Sequence, residues 1–268
     1  MGAYVKRAAS LFGAEVSLIH VFHPSSYSGF ELYVRPAGEI AEEHLEIARN
    51  KLDSFLEAEF PVSKHPRIIA AGDPAEQIAN TARKGFDLIV MPTHAGRFRR
   101  MLLGSTTAKV LNDADCPILT SRHADVILPR PLEHREWLCT LGMGENSERV
   151  LRYAHRASLE AHANVQIIHA IGVSEPLLPV ELDLEEQIQS KERQEARERI
   201  DSLQRRVGSQ APVRIAAGPV KDALLAAAEV SDADVLVIGR SPQPGVLGRL
   251  RDLTYVMVRD SPFPVLCI

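Results

Sequence analysis

The chain repeats its own sequence once, at an interval of about 146 residues, and this repeat constrains the fold more than any other feature. Residues 69–72, with the sequence Ile-Ala-Ala-Gly, return as residues 215–218. In the same way, residues 87–91 correspond to 234–238, and residues 116–119 correspond to 263–266. A period this long is that of a small domain rather than of a short solenoid repeat. The chain is therefore predicted to consist of two homologous domains.

Composition and charge are those of two ordinary globular domains. The 268 residues are 45% hydrophobic and 25% charged, which suffices for two cores. A net charge of −4 and a pI near 6.2 argue against a protein that neutralises many phosphates, so general nucleic-acid binding is not expected. The longest apolar runs have the length of strands and fall far short of the roughly 20 residues that span a bilayer, so membrane insertion is not expected.

The cysteines indicate a reducing compartment. Cys116, Cys139 and Cys267 lie far apart and form neither a CxxC motif nor a Cys/His spacing typical of metal sites. This usage favours the cytosol over an oxidising compartment that would support a disulfide framework. We therefore expect a cytoplasmic protein without a metal site, in which each cysteine is a small buried hydrophobic residue.

In each half, short β-rich apolar runs alternate with amphipathic stretches rich in Ala, Glu and Arg. This is the pattern of βαβ units around a parallel sheet, so the predicted fold class is α/β. Ser147 is the predicted N-cap of the first helix of the second half, and Gly208 is predicted to close the long charged helix. The strands predicted in the second half are 137–141, 165–171, 213–217, 235–239 and 264–268, and the helices are 147–161, 184–207 and 220–230.

The first half predicts the same series of elements with one omission. Aligning residues 14–16 with residues 163–165 places Met1 opposite Val150, inside the first helix. Nothing in the first half then corresponds to the strand predicted at 137–141. The first domain is therefore predicted to lack its first strand.

A proline-bearing segment separates the two halves. Residues 121–133 include Pro129 and Pro131, which favour an extended path and predict a linker. The predicted domains are residues 1–125, which are incomplete at the N-terminus, and residues 126–268.

Three motifs in the first half point to a known family. They are residues 87–94 (Asp-Leu-Ile-Val-Met-Pro-Thr-His), 102–111 (Leu-Leu-Gly-Ser-Thr-Thr-Ala-Lys-Val-Leu) and 115–119 (Asp-Cys-Pro-Ile-Leu). Together they resemble the universal stress protein family, and the second half adds matches at 142–154, 235–239 and 262–266. The arrangement is similar to that of tandem members, in which two such domains are fused. The resemblance implies an open, Rossmann-like sheet of five parallel strands in each domain, in the order 3-2-1-4-5, with helices on both faces.

In that fold the first strand is central, so its absence from the first half has a structural consequence. Strands two and four would lose their shared partner, and each buried backbone group left unpaired costs about 1–3 kcal/mol. Three explanations are open: an upstream start outside this sequence, a strand inserted from elsewhere, or an altered first domain. We favour the first, because the chain opens within a predicted helix with apolar residues and no cap.

Nucleotide-binding members of the resembled family carry the pattern G-x2-G-x9-G-S/T after strand four. Its glycines let backbone amides approach phosphate, and its Ser or Thr lies at a helix N-terminus, which favours anions. In the first half Pro92 and Ala95 replace the two early glycines, with Gly96 adjacent to the second, whereas Gly104-Ser105 remains. The resemblance therefore implies a partial site for ATP or ADP in the first domain. Its candidate residues are Val21, Met91, Pro92, Thr93, Gly96, Gly104, Ser105 and Thr106.

The second half keeps less of this pattern. Gly239 occupies the first glycine position, but Pro242 stands at the second, and Arg251-Asp252 replaces the Gly-Ser pair. Because the Asp252 carboxylate would lie where phosphate oxygens bind, ATP is not expected to bind there. Residues 142–144, Gly-Met-Gly, follow a predicted strand and are interpreted as a tight turn rather than as a phosphate loop.

No residue pattern in the chain predicts catalysis. We find no spaced carboxylate pair, metal cluster, nucleophile elbow or Cys/His arrangement that explains a reaction. His20 and His169 recur at the same place in the second strand of each half and are interpreted as core or strand-end residues rather than as metal ligands. The protein is therefore not expected to be an enzyme, beyond weak ATP hydrolysis at most.

The leading hypothesis is a stress-response binding and signalling module with degraded nucleotide-binding motifs. One alternative is an ATP-binding switch or slow ATPase that uses Gly104, Ser105 and Thr106 of the first domain. A second alternative is a scaffold or small-ligand carrier with an apolar crevice at the carboxyl ends of the strands. Residues 23–38 would then line that crevice or form a surface loop.

The resemblance also implies a partner surface. Fifth strands pair across a dimer interface in the family, so Ile118 and Leu119 would pair with Val265 and Leu266 in an intramolecular pseudo-dimer. A homodimer of the fused pair and an unidentified protein partner stay open.

Overall fold

The computed structural model of the protein describes residues 2–22, 37–93, 103–121, 134–172, 181–240 and 253–268. The strands are β1 (Leu18–Phe22), β2 (Arg67–Ala71), β3 (Ile89–Pro92), β4 (Ile118–Ser121), β5 (Glu136–Thr140), β6 (Asn164–Ile171), β7 (Val213–Ala217), β8 (Val235–Ile238) and β9 (Val265–Cys267). The helices are α1 (Gly2–Leu11), α2 (Ala37–Ser54), α3 (Pro74–Ala82), α4 (Ser105–Asp113), α5 (Ser147–Ala161), α6 (Glu181–Val207), α7 (Val220–Val230) and α8 (Leu253–Asp260). The predicted α/β class with mainly parallel strands is confirmed.

The elements predicted in the second half agree closely with the structure. The bounds of α5, β7 and α7 are those predicted. The helix α6 begins at Glu181 rather than at residue 184, and β5 ends at Thr140 rather than at residue 141. The predicted linker lies almost wholly outside the described residues.

The chain divides into two compact units that cut across the sequence repeat. Unit 1 comprises Met1–Ile89 and Gly104–Cys116, and unit 2 comprises Val90–Leu103 and Pro117–Ile268. The strand β4, from the end of the first half, thus belongs to unit 2. The repeat boundary stays a prediction from the sequence.

Unit 2 contains a complete sheet of the predicted topology. In the second half the strands lie in the order β9-β8-β5-β6-β7, which is the order 5-4-1-2-3 when they are numbered within the repeat. The central strand β5 runs parallel to β6 on one side and to β8 on the other. Residues 137–140 of β5 and all four residues of β8 are buried without alternation, as expected for parallel strands covered on both faces.

The sheet of unit 2 extends past the second half through β4. This strand pairs antiparallel with β9, so that Leu119 lies opposite Leu266 and Thr120 lies opposite Val265. With β3 next to β4, the sheet has seven strands in the order β3-β4-β9-β8-β5-β6-β7. The pairing gives β9 a hydrogen-bonded neighbour on each side.

In unit 1, β1 pairs with β2 in a two-stranded parallel sheet. Among the described residues, no strand pairs with the other edge of β1. Every residue of β1 is half-buried or exposed, whereas four of the five residues of β5 are buried. In the described part of the first half, the second and fourth strands, β1 and β3, thus lie in separate sheets. The missing first strand stays a prediction from the sequence.

The start of α5 differs from the prediction. The N-cap is Asn146, and Ser147 is the first helical residue. The Ser147 hydroxyl donates to the backbone carbonyls of Gly142 and Gly144 instead of accepting from an amide of the helix. A serine hydroxyl can also donate to nearby carbonyls, and here the contacts with Gly142 and Gly144 close the turn between β5 and α5.

The long helix α6 packs through Ala196, Ile200 and Leu203, which are buried, and carries ion pairs on its exposed side. Lys191 pairs with Glu195 and Arg197 with Asp201, both at a spacing of four residues. Exposed pairs of this kind contribute only a few tenths of a kcal/mol each, about 0.3–0.5. No helix within the described ranges is long and apolar enough to cross a membrane.

We expect a buried residue of β8 to be far more important for stability than an exposed one of the same type. Leu236→Ala, at a position with 0% exposure, should lower the free energy of unfolding by about 2–5 kcal/mol, because it leaves a cavity. The control Leu159→Ala, at a position 63% exposed, should change it by less than about 0.5 kcal/mol. Urea unfolding followed by the fluorescence of Trp137, the single tryptophan, measures both. Equal losses of unfolding free energy in the two variants would contradict the burial of β8.

The three thiols should differ in reactivity. Cys139 and Cys267 are buried, and burial raises the pKa of the Cys139 thiol to about 12, whereas Cys116 is half-buried. Native protein should therefore show one fast-reacting thiol with a chromogenic disulfide reagent, and denatured protein should show three. Cys116→Ser should abolish the fast phase. A fast phase that survives this substitution would contradict the burial of the other two.

Candidate functional site

The start of α4 carries the best-preserved part of the predicted phosphate site. Gly104 is the N-cap, with extended backbone angles and no side-chain hydrogen bond to the helix. Ser105 is exposed, Thr106 is half-buried and Thr107 is buried. The first amides of a helix have no partner within it and lie at the positive end of its dipole. This end of α4 therefore presents donors that suit an anion.

An acidic side chain fixes α3 to α4. The Asp73 carboxylate caps α3 by accepting from the amides of Ala75 and Glu76, at 3.0 and 3.1 Å. Its second oxygen accepts from Lys109 Nζ at 2.9 Å, on α4. The hydrogen bond from Lys109, followed by that from the Glu76 amide, keeps the pKa of Asp73 below its usual value. One carboxylate thus sets the position of α4, whose first residues are the candidate site.

A second contact between the same elements lies at their other ends. Arg83, the C-cap of α3, donates from Nε to Asp115 at 2.8 Å and from Nη2 to the Asp113 carbonyl at 3.2 Å. The charged atoms are exposed, so the contribution of this pair to stability is small. Its effect is to align the two helices.

The carboxyl ends of β1 and β2 meet at a glycine turn in unit 1. The Gly72 amide donates to the Phe22 carbonyl at 3.0 Å, with a φ of 130° that L side chains rarely adopt. Val21, the candidate adenine contact, lies one residue before Phe22 and pairs with Ala70. The same turn recurs in unit 2, where Gly218 has a φ of 134° and donates to Ile171.

The predicted nucleotide residues are divided between the two units. Val21, Gly104, Ser105 and Thr106 belong to unit 1, whereas Met91, Pro92 and Thr93 belong to unit 2. Met91 and Thr93 are buried, and Pro92 is exposed. Gly96 lies outside the described residues, as do Pro242, Arg251 and Asp252 of the second half. The assembly of these residues into one site stays a prediction.

In the second half, the end of β8 is bound by the protein's own side chains. Asn146 Nδ2 donates to the Arg240 carbonyl at 3.1 Å, and Thr254 Oγ1 donates to the Gly239 carbonyl at 3.0 Å. A Cβ atom added at Gly239 would lie 3.0 Å from Val150 Cγ2 of α5. The glycine is therefore explained by close packing of β8 against α5.

A cleft that the sequence did not indicate lies between the turn before α5 and the helix α6. It has a volume of about 380 Å³, and Met143, Glu148, Arg199 and Arg206 are among its lining residues. Arg199 donates to the Met143 carbonyl, and Arg206 donates to the Glu148 carboxylate, both at 2.8 Å. The hydrogen bond from Arg206 is the main reason why the pKa of Glu148 is lowered. Because Glu148 and Arg206 are 58 positions apart in the chain, no local sequence pattern could have revealed this ion pair.

The histidine predicted at a strand end in the second half has a structural partner. His169 Nδ1 donates to the Leu141 carbonyl at 2.7 Å, across the end of β5. In the described parts of the chain, no group of three or more His, Cys, Asp or Glu residues is placed to bind a metal ion.

Comparison with known proteins decides the family. The sequence profile of the Universal stress protein family matches two stretches, residues 3–122 and 138–268. The chain belongs to the universal stress protein family. The two matches account for the internal repeat, so it is a tandem member.

Individual members of the family resemble one half of the chain. Universal stress protein A homolog 2 of Coxiella burnetii is 32% identical over 111 residues, which are 41% of this chain and 75% of that protein. A universal stress protein of Thermus aquaticus is 32% identical over 123 residues, which are 45% of this chain and 86% of that protein. The crystal structure of a universal stress protein from Archaeoglobus fulgidus shares the fold, with a TM-score of 0.63 at 22% identity over 98% of this chain and 92% of that one.

We expect the Asp73 contacts to contribute to stability in a pH-dependent way. At neutral pH the thermal midpoint should fall in the order wild type, Asp73→Asn, Asp73→Ala, because asparagine keeps an acceptor for the cap but loses the charge paired with Lys109. The pKa of Asp73 is lowered in the folded state. The contribution of its charge to stability is therefore present above the ordinary pKa of 3.8 and is lost as pH falls through the folded-state pKa.

The difference in thermal midpoint between wild type and Asp73→Asn should therefore disappear at acid pH. Thermal unfolding measured over a series of pH values would show this. Asp53→Asn, an acidic residue of α2, serves as the control. A difference in thermal midpoint that does not change with pH would contradict a stabilising role of the Asp73 charge.

Proposed function

We propose that this tandem universal stress protein is a binding and signalling module in which nucleotide recognition is confined to the first repeat. The ligand is ATP or ADP, with its phosphates at Gly104, Ser105 and Thr106. The observation that carries this proposal is the start of α4, where Gly104 is the N-cap and no side chain caps the helix.

The chemistry at α4 suits a phosphate. Gly104 has no side chain to obstruct an approaching oxygen, and the exposed Ser105 hydroxyl adds a donor to the backbone amides. The Asp73–Lys109 pair fixes this end of the helix without placing a free carboxylate there. A preorganised donor set of this kind binds an anion without further ordering of the backbone.

Three carboxylates with lowered pKa values have structural partners. The pKa values of Asp73, Glu148 and Asp260 are lowered chiefly by hydrogen bonds from Lys109, Arg206 and Arg259 respectively. These carboxylates are members of ion pairs that join helices or stabilise helix ends.

The pairing of β4 with β9 supports a further part of the proposal. We propose that Ile118–Ser121 and Val265–Cys267 form the intramolecular equivalent of a dimer interface between two single-domain members. The edge that β9 would otherwise expose is then covered within one chain. A stable contact to a second copy would have to use another surface.

Ligand released from the natively purified full-length chain should be ATP or ADP, identified by mass spectrometry. The double variant Gly104→Ala, Ser105→Ala should lose it, because an added Cβ and a lost hydroxyl weaken phosphate contact. Thermal stabilisation by added Mg-ATP should be lost with it. Ser63→Ala, which removes an exposed serine of the same unit, serves as the control and should retain both.

Absence of nucleotide in the purified protein, together with no stabilisation by millimolar Mg-ATP, would refute the nucleotide part of the proposal. Retention of ligand by the double variant would place the phosphates elsewhere.

A further inference from the structure

The cleft between the turn before α5 and the helix α6 contains an arginine whose charge is not paired. Arg199 donates from Nη2 to the Met143 carbonyl at 2.8 Å, and no carboxylate within the described part of the chain pairs with it. A guanidinium carries five N–H donors on three nitrogens. The bond to Met143 therefore holds the Arg199 side chain in place and leaves the donors on Nε and Nη1 available.

A second arginine of the cleft is fixed by two contacts. Arg206 donates from Nε to Glu148 at 2.8 Å and from Nη1 to Ser202 Oγ at 2.9 Å. The Glu148 carboxylate also accepts from Arg152, so one negative charge is shared between two cations. Arg206 Nη2 and the Ser202 hydroxyl proton have no acceptor among the described residues. They add two kinds of donor to those of Arg199.

These donors lie along one side of α6. Arg199, Ser202 and Arg206 follow one another at intervals of three and four residues, which places them on the same face of a helix, and all three line the cleft. Leu203, which is buried, and Met143, which is half-buried, add apolar surface to the lining. The cleft thus combines hydrogen-bond donors with an apolar wall.

The charged groups at the cleft have an excess of positive charge. They are Arg199, Arg206, Glu145 and Glu148 of the lining, together with Arg152, which is bonded to Glu148. Three arginines against two glutamates leave one positive charge. Glu145 is exposed, whereas Glu148 is already bonded to two arginines. The cleft therefore favours an anionic ligand over a neutral or cationic one.

We propose that this cleft of the second repeat binds a small phosphate monoester, with the phosphate at Arg199, Arg206 and Ser202 and the organic group against Met143 and Leu203. The guanidinium fork matches the spacing of phosphate oxygens. Three donor side chains suit the three terminal oxygens of a phosphate monoester better than the two oxygens of a carboxylate. Because both arginines are already held by the protein, little ordering of side chains opposes binding.

The size and position of the cleft agree with a separate small-molecule site. Its volume of about 380 Å³ lies near the lower end of the range of roughly 300–1,000 Å³ that is usual for such sites. Neither Gly239 nor Thr254, which lie where the second repeat would carry its glycine pattern, is among the described lining residues. The proposed nucleotide residues Gly104 and Ser105 do not line it either.

The probe is phenyl phosphate, titrated into the full-length chain at constant ionic strength and followed by isothermal titration calorimetry. We expect saturable binding of one molecule per cleft. Phenol, which lacks the phosphate, should not bind. Inorganic phosphate should bind at least about threefold more weakly, because it has no apolar group to bury against Met143 and Leu203. Benzoate should also bind more weakly than phenyl phosphate.

Substitutions in the cleft should change the affinity in both directions. Arg199→Gln should weaken binding by about tenfold or more, because charge-assisted hydrogen bonds to the phosphate are lost. Ser202→Ala should weaken it by about threefold, because one neutral donor is lost. Glu145→Gln should strengthen it by about twofold, because a negative charge of the lining is removed. Arg193→Gln, an exposed arginine of the same helix that does not line the cleft, serves as the control and should leave the affinity unchanged.

Two further measurements separate this site from unfolding and from the first repeat. Arg199 is exposed, and its substitution leaves the Arg206–Glu148 pair intact, so the thermal midpoint of Arg199→Gln should stay close to that of wild type. The double variant Gly104→Ala, Ser105→Ala should bind phenyl phosphate as wild type does.

Four results would overturn the proposal. The first is no saturable binding at millimolar phenyl phosphate, and the second is equal affinity for wild type and Arg199→Gln. The third is an equal loss of affinity in Arg193→Gln, which would indicate attraction to the general charge of α6. The fourth is loss of binding in the double variant of the first repeat, which would place the phosphate at α4.

Discussion

The parallel ladders on both edges of β5 are the interaction on which unit 2 depends. They join β6 and β7 on one side to β8 and β9 on the other. Asp234 and His169 fix the two ends of the strand, and its side chains are buried on both faces. In the described part of the first half, no strand joins β1 to β3, and these two strands lie in separate sheets.

Different ion pairs join the corresponding helices of the two repeats. In the first repeat, Asp73 at the start of α3 pairs with Lys109 on α4. In the second repeat, Lys221 on α7 pairs with Asp260 on α8. The pKa of Asp260 lies well below its ordinary value, first because of Arg259 and then because of Lys221. The acid is thus at the first helix of the pair in one repeat and on the second helix in the other.

The loss of the phosphate motif in the second repeat fits the contacts found there. Gly239 packs closely against Val150, and Asn146 and Thr254 donate to carbonyls at the end of β8. A glycine retained for packing resembles, in sequence alone, a glycine retained for a ligand. In the first repeat Gly104-Ser105 remains at the start of α4, which is why the proposed nucleotide site is assigned to that repeat.

Periodic and repeated patterns allowed the α/β class, the tandem organisation, and the bounds of α5, β7 and α7 to be predicted from the sequence, because each depends on local residue order. The sequence could not show that Ser147 bonds the carbonyls of a turn rather than capping α5. Nor could it show that Asp234 binds the start of β5, 98 residues away. These features depend on which backbone groups the packed sheets bring within hydrogen-bond distance, and only the tertiary structure decides that.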